Sequence, residues 1–103
     1  MKGMNDLLRQ AQLMQNKMAK LQEEIGERTV EATSGGGMVK AIANGKQEIL
    51  SILMEKEAVN PEDVEMLQDL TLTAVNEALR LAREMMEREM SGITGGFKIP
   101  GLM

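Results

Sequence analysis

The 103-residue chain contains no histidine, cysteine, tyrosine or tryptophan, and phenylalanine occurs once. Without histidine or cysteine, acid–base chemistry near neutral pH would depend on carboxylates or lysine, and a serine or threonine nucleophile would have no histidine base. The usual transition-metal ligands are missing as well. The composition therefore argues against an enzyme, and we expect no catalytic residue, no metal, no cofactor and no small-molecule substrate.

The lack of cysteine also excludes a disulfide framework and favours the cytoplasm. No stretch approaches the ~18 consecutive apolar residues of a membrane span, so we expect no membrane contact. Apolar residues make up 43% of the chain and charged residues 27%, which is typical of a globular protein. A chain of this length suffices for one domain with a modest core, which a partner subunit would help to complete.

Both basic and acidic residues are common, but they are concentrated in different parts of the chain. The net charge is −4. Residues 1–22 nevertheless carry four basic side chains against Asp6 alone, a net +3, whereas residues 61–91 carry eight acids against three arginines, a net −5. One face of the protein could therefore meet phosphate while the acidic segment keeps it soluble.

The first segment has the apolar spacing of a helix. Steps of 3 and 4 connect seven residues that we expect to form one stripe: Met4, Leu7, Ala11, Met14, Met18, Leu21 and Ile25. Gly26 and the β-branched residues after it favour an end to the helix and the start of a strand. This pattern predicts a helix over residues 4–25.

Three short strands are predicted next, at residues 29–33, 38–43 and 47–54. Asn44-Gly45 between two apolar runs predicts a type I′ hairpin turn with positive φ at both residues. The glycines at 35–37 could form a phosphate-binding loop, but such a loop needs a helix directly after it, and here a strand follows. We therefore interpret the glycines as a hairpin loop.

A second helix is predicted over residues 61–90, with Asn60 as its N-cap and Pro61 at its first position. Residues 92–103 are rich in glycine and lack periodicity, so we expect a flexible tail. The predicted fold is α+β, in the order α-β-β-β-α with an antiparallel meander, and residues 1–91 form a single domain.

The first helix admits three interpretations from its residues alone. It could be a core or coiled-coil helix with solvated lysines, a membrane-surface helix, or a helix that contacts phosphates. The membrane interpretation is weakened because the apolar side has no Trp or Phe anchor. Methionines at 4, 14 and 18 could suggest a copper site, but their spacing fits an adaptable apolar seam. Such a seam also suits a protein–protein adaptor, which is the alternative function that the residues support.

Five segments, taken in order, resemble the YbaB/EbfC family of bacterial nucleoid-associated proteins: "GGGMV", "ANGKQEI", "NPEDVEMLQDL", "AVNEAL" and "PGLM". Together with the Met- and Gln-rich first helix, the resemblance covers nearly the whole chain. It implies a tweezer-shaped α+β homodimer with projecting helices in the nucleoid. It also implies binding of double-stranded DNA with little sequence preference, altered DNA conformation, and a role in nucleoid organisation and gene regulation.

The resemblance also implies where DNA binds. Its charged helical arms correspond to Arg9, Lys17 and Lys20, with Lys2 just before them. The arginines at 80, 83 and 88 are weaker candidates, because glutamates surround the last two. For the dimer contact, both the first-helix stripe and the third strand are candidates, and we favour the sheet together with the second helix.

Overall fold

A computed structural model of the chain describes residues 2–94. Its elements are α1 (Lys2–Glu27), β1 (Thr29–Ser34), β2 (Val39–Asn44), β3 (Ile49–Met54) and α2 (Val64–Thr94), with short 3-10 turns at Gly35–Gly37 and Lys56–Ala58. The predicted α-β-β-β-α order and the α+β class are confirmed. The predicted tail begins too early, because α2 includes residues 92–94, and residues 95–103 lie outside the described residues. That residues 1–91 form one domain stays a prediction.

The three strands form an antiparallel sheet in the order β1-β2-β3. Because side chains alternate across a strand, one set of residues faces α2 and the other faces away. In β2, Val39, Ala41 and Ala43 are fully buried, whereas Lys40 and Ile42 are only half-buried. α2 packs on β1 and β2 but makes far less contact with β3.

Small residues dominate the core between α2 and the sheet. Seven of its eight fully or almost fully buried members are alanines, and the eighth is Val39. Ala74, Ala78 and Ala82 repeat every fourth residue, which places them on one side of α2. Side chains this small let the helix backbone lie close to the sheet.

The turn between β2 and β3 differs from the type I′ prediction. Positive φ occurs at Gln47 (60°), not at Asn44 or Gly45. The Asn44 side-chain oxygen instead accepts the backbone N–H groups of Lys46 and Glu48, at 2.9 and 3.0 Å. Gly45 is required for another reason, because a Cβ there would overlap the carbonyl oxygen of Ile25. The glycine thus joins the end of α1 to the sheet, a contact that no local turn rule predicts.

The glycine loop after β1 agrees with the hairpin interpretation. Residues Gly35–Gly37 have φ values of 60°, 69° and 99°, a region that favours glycine. They connect β1 to β2 and are followed by a strand rather than a long helix.

The start of α2 was predicted three residues too early. Asn60 is not the N-cap of α2. The Asn60 side-chain oxygen accepts the N–H of Glu62, and the Asn60 backbone carbonyl accepts the N–H of Asp63, so that residues 60–63 form a separate turn. Asp63 caps the helix, since its carboxylate accepts the N–H of Met66 at 3.2 Å. The sequence thus has two residues that can cap a helix, three positions apart, and the turn at residue 60 uses the first of them.

α1 projects from the sheet, and the course of α2 shows in which direction. α2 passes the end of β1, where the Ser34 hydroxyl donates to the carbonyl of Leu70 at 2.6 Å. It then passes the β2–β3 turn near Leu79 and reaches Met86, which lines a groove with Ala19 of α1. The end of α2 therefore runs antiparallel along α1.

The molecule is elongated as a result. The chain measures 74 × 26 × 16 Å, with a radius of gyration of 20.1 Å. A compact chain of this length would have a radius of gyration of about 13 Å.

Candidate nucleic-acid interface

We call residues 3–20 of α1 the arm. All residues from Gly3 to Leu13 are exposed, whereas Met14, Met18 and Leu21 are half-buried and Ile25 is buried. The predicted apolar stripe therefore packs at its C-terminal end, where α2 runs alongside, and is uncovered at its N-terminal end. Within this chain the predicted stripe therefore packs only along the second half of α1.

Three basic side chains of the arm share one side of the helix. Arg9, Lys17 and Lys20 are all exposed. At 100° per residue they fall within an arc of about 80°, on the side away from the apolar stripe, and they span about 16 Å along the axis. Lys2 is the first residue of α1.

Asp6 is the one acid of the arm, and it forms no ion pair with these side chains. Between residues 7 and 22 the chain carries no acid. The ion pairs among the described residues are Arg28–Glu89, Lys40–Glu31, Arg80–Glu77 and Arg80–Glu84, so none involves the arm. The three charges of the arm are therefore free to meet an external anion, with amide side chains such as Gln12 and Asn16 beside them.

The arginine at position 80 is in the opposite situation. Its guanidinium donates to both carboxylate oxygens of Glu77 and to Glu84. The hydrogen bond with Glu77 is the main cause that raises the pKa of Arg80 above its ordinary value, and Arg80 lowers the pKa of Glu77 in turn. Arg80 is thus balanced by local acids, which makes it a poorer phosphate ligand than Arg9. Arg80 was already the weaker candidate from the sequence, and its ion pairs with Glu77 and Glu84 supply a physical reason.

A second surface lies beside α2, over β3. Four β3 side chains, Leu50, Ile52, Leu53 and Met54, are 41–54% exposed. A groove of about 460 Å³ is lined by Met54, Leu67, Gln68, Thr71, Leu72 and Val75, and we call it the edge groove. β3 is at the edge of the sheet and has no pairing partner on its outer side among the described residues. The sequence favoured the sheet together with the second helix as the dimer contact, and the edge groove lies between β3 and α2.

Other kinds of site find little support within residues 2–94. No three acidic side chains come together there as potential metal ligands. Every buried side-chain nitrogen or oxygen of that part has a hydrogen-bond partner, so none is left for a ligand to satisfy. Neither helix has a stretch that is long and apolar enough to cross a bilayer.

Comparison with known proteins identifies relatives over the whole described chain. The sequence model of the YbaB/EbfC DNA-binding family matches residues 1–97. A nucleoid-associated protein from Desulforamulus reducens is 62% identical over 100 residues, which covers 97% of this chain and 95% of the relative. One from Pelotomaculum thermopropionicum is 58% identical with the same coverage.

A solved structure shares the fold. The crystal structure of an uncharacterized protein from Helicobacter pylori matches with a TM-score of 0.75 at 24% identity, over 86% of this chain and 94% of that one. The two chains therefore share their fold.

Proposed function

Because the chain belongs to the YbaB/EbfC DNA-binding family, we propose that two copies form a homodimer that binds duplex DNA through phosphate contacts, with little sequence preference. The dimer alters the conformation of the DNA, resides in the nucleoid, and takes part in nucleoid organisation and gene regulation without catalysing a reaction. The observation that carries this proposal is the arm, a projecting helix with unpaired, exposed cations on one side.

Lys2, Arg9, Lys17 and Lys20 are the proposed DNA-binding residues. Contacts from Lys and Arg to phosphates position a protein on DNA but do not read its sequence, which accounts for the expected lack of preference. The described part of the arm has no aromatic side chain, so base stacking on it is excluded. Affinity must then come from charge and fall steeply as salt is added.

The proposed dimer uses the edge groove and β3. In the monomer α2 leaves β3 uncovered, and the large apolar residues Ile52, Met54 and Leu72 are 41–60% exposed. A second copy related by a two-fold axis would place its own α2 over this region, since such an interface is self-complementary. Dimerisation doubles the basic side chains and fixes the spacing of the two arms.

Fluorescence anisotropy of a labelled duplex of about 30 base pairs tests the DNA-binding proposal. With ~3 phosphate contacts per protomer, a dimer displaces about 6 counterions, and log K should fall with a slope near −5 in log salt. Reversal of two arm charges, in the variant Lys17→Glu/Lys20→Glu, should weaken binding by more than about 100-fold at low salt.

The matched control is Lys40→Glu/Lys56→Glu, which changes net charge equally but lies in the sheet and the following turn. It should leave affinity within about threefold, because exposed charges distant from the contact are screened. Undiminished binding by a folded Lys17→Glu/Lys20→Glu variant would refute the assignment to the arm. No binding by the unaltered protein at low salt would instead favour an adaptor role for the apolar side.

Size-exclusion chromatography coupled to light scattering measures the molar mass of the protein and so tests the proposed dimer surface. Leu72→Asp places a charge in the edge groove and should raise the dimer dissociation constant by at least about 30-fold, the effect of losing one central contact. Thr73→Asp introduces the same charge at the next, exposed position of α2 and serves as the control. Equal dimerisation of the two variants would show that the copies meet elsewhere.

A further inference from the structure

The arm has a groove at the border between its apolar stripe and its basic side, separate from the edge groove. Leu7, Gln10, Ala11, Leu13, Met14 and Lys17 line a groove of about 500 Å³ on α1, which we call the arm groove. Leu7 and Leu13 are 71% and 61% exposed. Helix ends without packing partners fray, and an exposed apolar surface favours a covering segment.

The position of the end of α2 indicates which segment could cover it. α2 runs antiparallel along α1 and continues for eight residues beyond Met86, about 12 Å, toward the N-terminal half of the arm. The nine residues that follow Thr94 are GGFKIPGLM, and they include the single phenylalanine of the chain. Extended, they reach up to about 30 Å, whereas Leu7 and Met14 lie about 10 Å apart along the helix.

We propose that residues 95–103 bind in the arm groove of their own chain, with Phe97 and Ile99 against Leu7, Ala11 and Met14. α2 ends at Thr94 while running toward the uncovered part of the arm, so binding of the segment there would require no reversal of the chain. Its two leading glycines allow the chain to leave the helix without steric penalty. Since the tether is short, the local concentration of the segment at the groove is high.

Charge argues against the obvious competing occupant, the arm of a second copy. Each arm carries Arg9, Lys17 and Lys20 without an acid between residues 7 and 22, so two paired arms would bring like charges together. The tail segment carries only Lys98 among its nine residues and is otherwise apolar or glycine. It therefore brings one basic side chain to the groove, beside Lys17, and leaves open Arg9 and Lys20, which do not line it.

The natural lack of cysteine makes a cross-linking test clean. In the full chain, Leu7→Cys/Phe97→Cys should form a disulfide about tenfold faster than Asn5→Cys/Phe97→Cys, since a docked segment has a far higher effective concentration at the groove than at the opposite side. Asn5 is exposed, and at 100° per residue it lies on the other side of α1 at nearly the same height.

Mass spectrometry of the tryptic peptides 3–9 and 89–98, from a mixture of ¹⁴N- and ¹⁵N-labelled protein, identifies the chains that are joined. Cross-linked peptide pairs in which both peptides carry the same nitrogen isotope, without mixed pairs, support docking within a chain. Mixed pairs would overturn it by assigning the segment to the arm of the second copy, and equal rates for the two variants would overturn docking altogether.

Hydrogen exchange gives a second readout that needs no new cysteine. Phe97→Asp should speed exchange of the amides of residues 7–13 by about tenfold, because the arm loses its packing, whereas Lys98→Asp at the next residue should not. Unchanged exchange in Phe97→Asp would contradict the proposal. Neither measurement involves DNA, so this inference and the DNA-binding proposal can fail separately.

Discussion

We call β1–β3 together with residues 64–85 of α2 the body. The arm and the body differ in the size of the apolar residues that they bury and expose. Inside the body the buried apolar residues are mainly alanines, and Val39 and Met85 are the larger ones. On the arm the large residues Leu7, Leu8 and Leu13 are 61–71% exposed. One copy of the chain thus buries mainly small apolar side chains and exposes large ones, which are the surfaces that the proposed dimer and tail contacts would cover.

The two regions also differ in how they hold positive charge. In the body, Arg80 and Lys40 have carboxylate partners, and Arg28 at the junction pairs with Glu89. The cations of the arm have none among the described residues. Exposed ion pairs add little stability, so the pairing matters mainly because it removes charge that could attract phosphate.

The largest effect is expected where the arm joins the body. Gly45→Ala would drive a Cβ into the carbonyl oxygen of Ile25, a backbone atom that cannot rotate away. We expect a loss of about 3 kcal/mol in the free energy of unfolding, the upper range for overpacking. Urea unfolding followed by circular dichroism, at one protein concentration throughout, measures it.

Gly92→Ala is the control for that change. Gly92 lies in α2 with nothing within 4 Å of a built Cβ, so alanine should raise stability by up to about 1 kcal/mol through helix propensity. A Gly45→Ala variant as stable as the unaltered protein would show that α1 does not approach the turn so closely.

A single type of substitution can compare the packing of the two regions. Ala78 is fully buried between α2 and the sheet, so Ala78→Leu should destabilise the protein by about 2 kcal/mol. Ala11 is exposed on the arm, and Ala11→Leu should change stability by less than about 0.5 kcal/mol. Thermal unfolding of the two variants side by side provides the measurement, and similar losses would mean that the arm is packed as tightly as the body.

The smallest expected effect sharpens the comparison of charges. Arg9→Gln should remove one phosphate contact per protomer, so the salt slope of DNA binding should change from about −5 to about −3.6. Arg80→Gln should leave the slope unchanged, because Arg80 is held by Glu77 and Glu84. Anisotropy titrations at four salt concentrations distinguish them, and equal slopes for the two variants would remove the distinction drawn here.

Much of the fold could be predicted from local patterns, because those patterns report local physics. The heptad spacing from Met4 to Ile25 placed α1, and alternation placed the strands within two residues of their ends. The wrong predictions occurred where two local rules competed for the same position, or where a residue distant in the chain determined the local conformation. Asn60 and Asp63 are both good caps, and only the turn that Asn60 makes assigns the cap to Asp63.

The candidate site was predictable in part. The resemblance to the family indicated Arg9, Lys17 and Lys20, and the structure shows all three exposed on the arm. Periodicity could not show that the first half of the stripe lacks a cover, because this depends on where α2 ends. It could not show the edge groove either, since that groove is formed by residues of β3 and α2 that are distant in the chain.

The sequence by itself determined the secondary structure, the family and the sign of charge on α1, because spacing, turn residues and local charge act over a few positions. The tertiary structure alone decided which of the apolar residues are buried, and it brought Arg28 to Glu89, whereas the pairs of Arg80 are local to α2. It also decided why position 45 must be glycine, since the carbonyl of Ile25 lies against it. The physical reason is that burial and contacts between elements depend on which distant segments meet, and no local period encodes that.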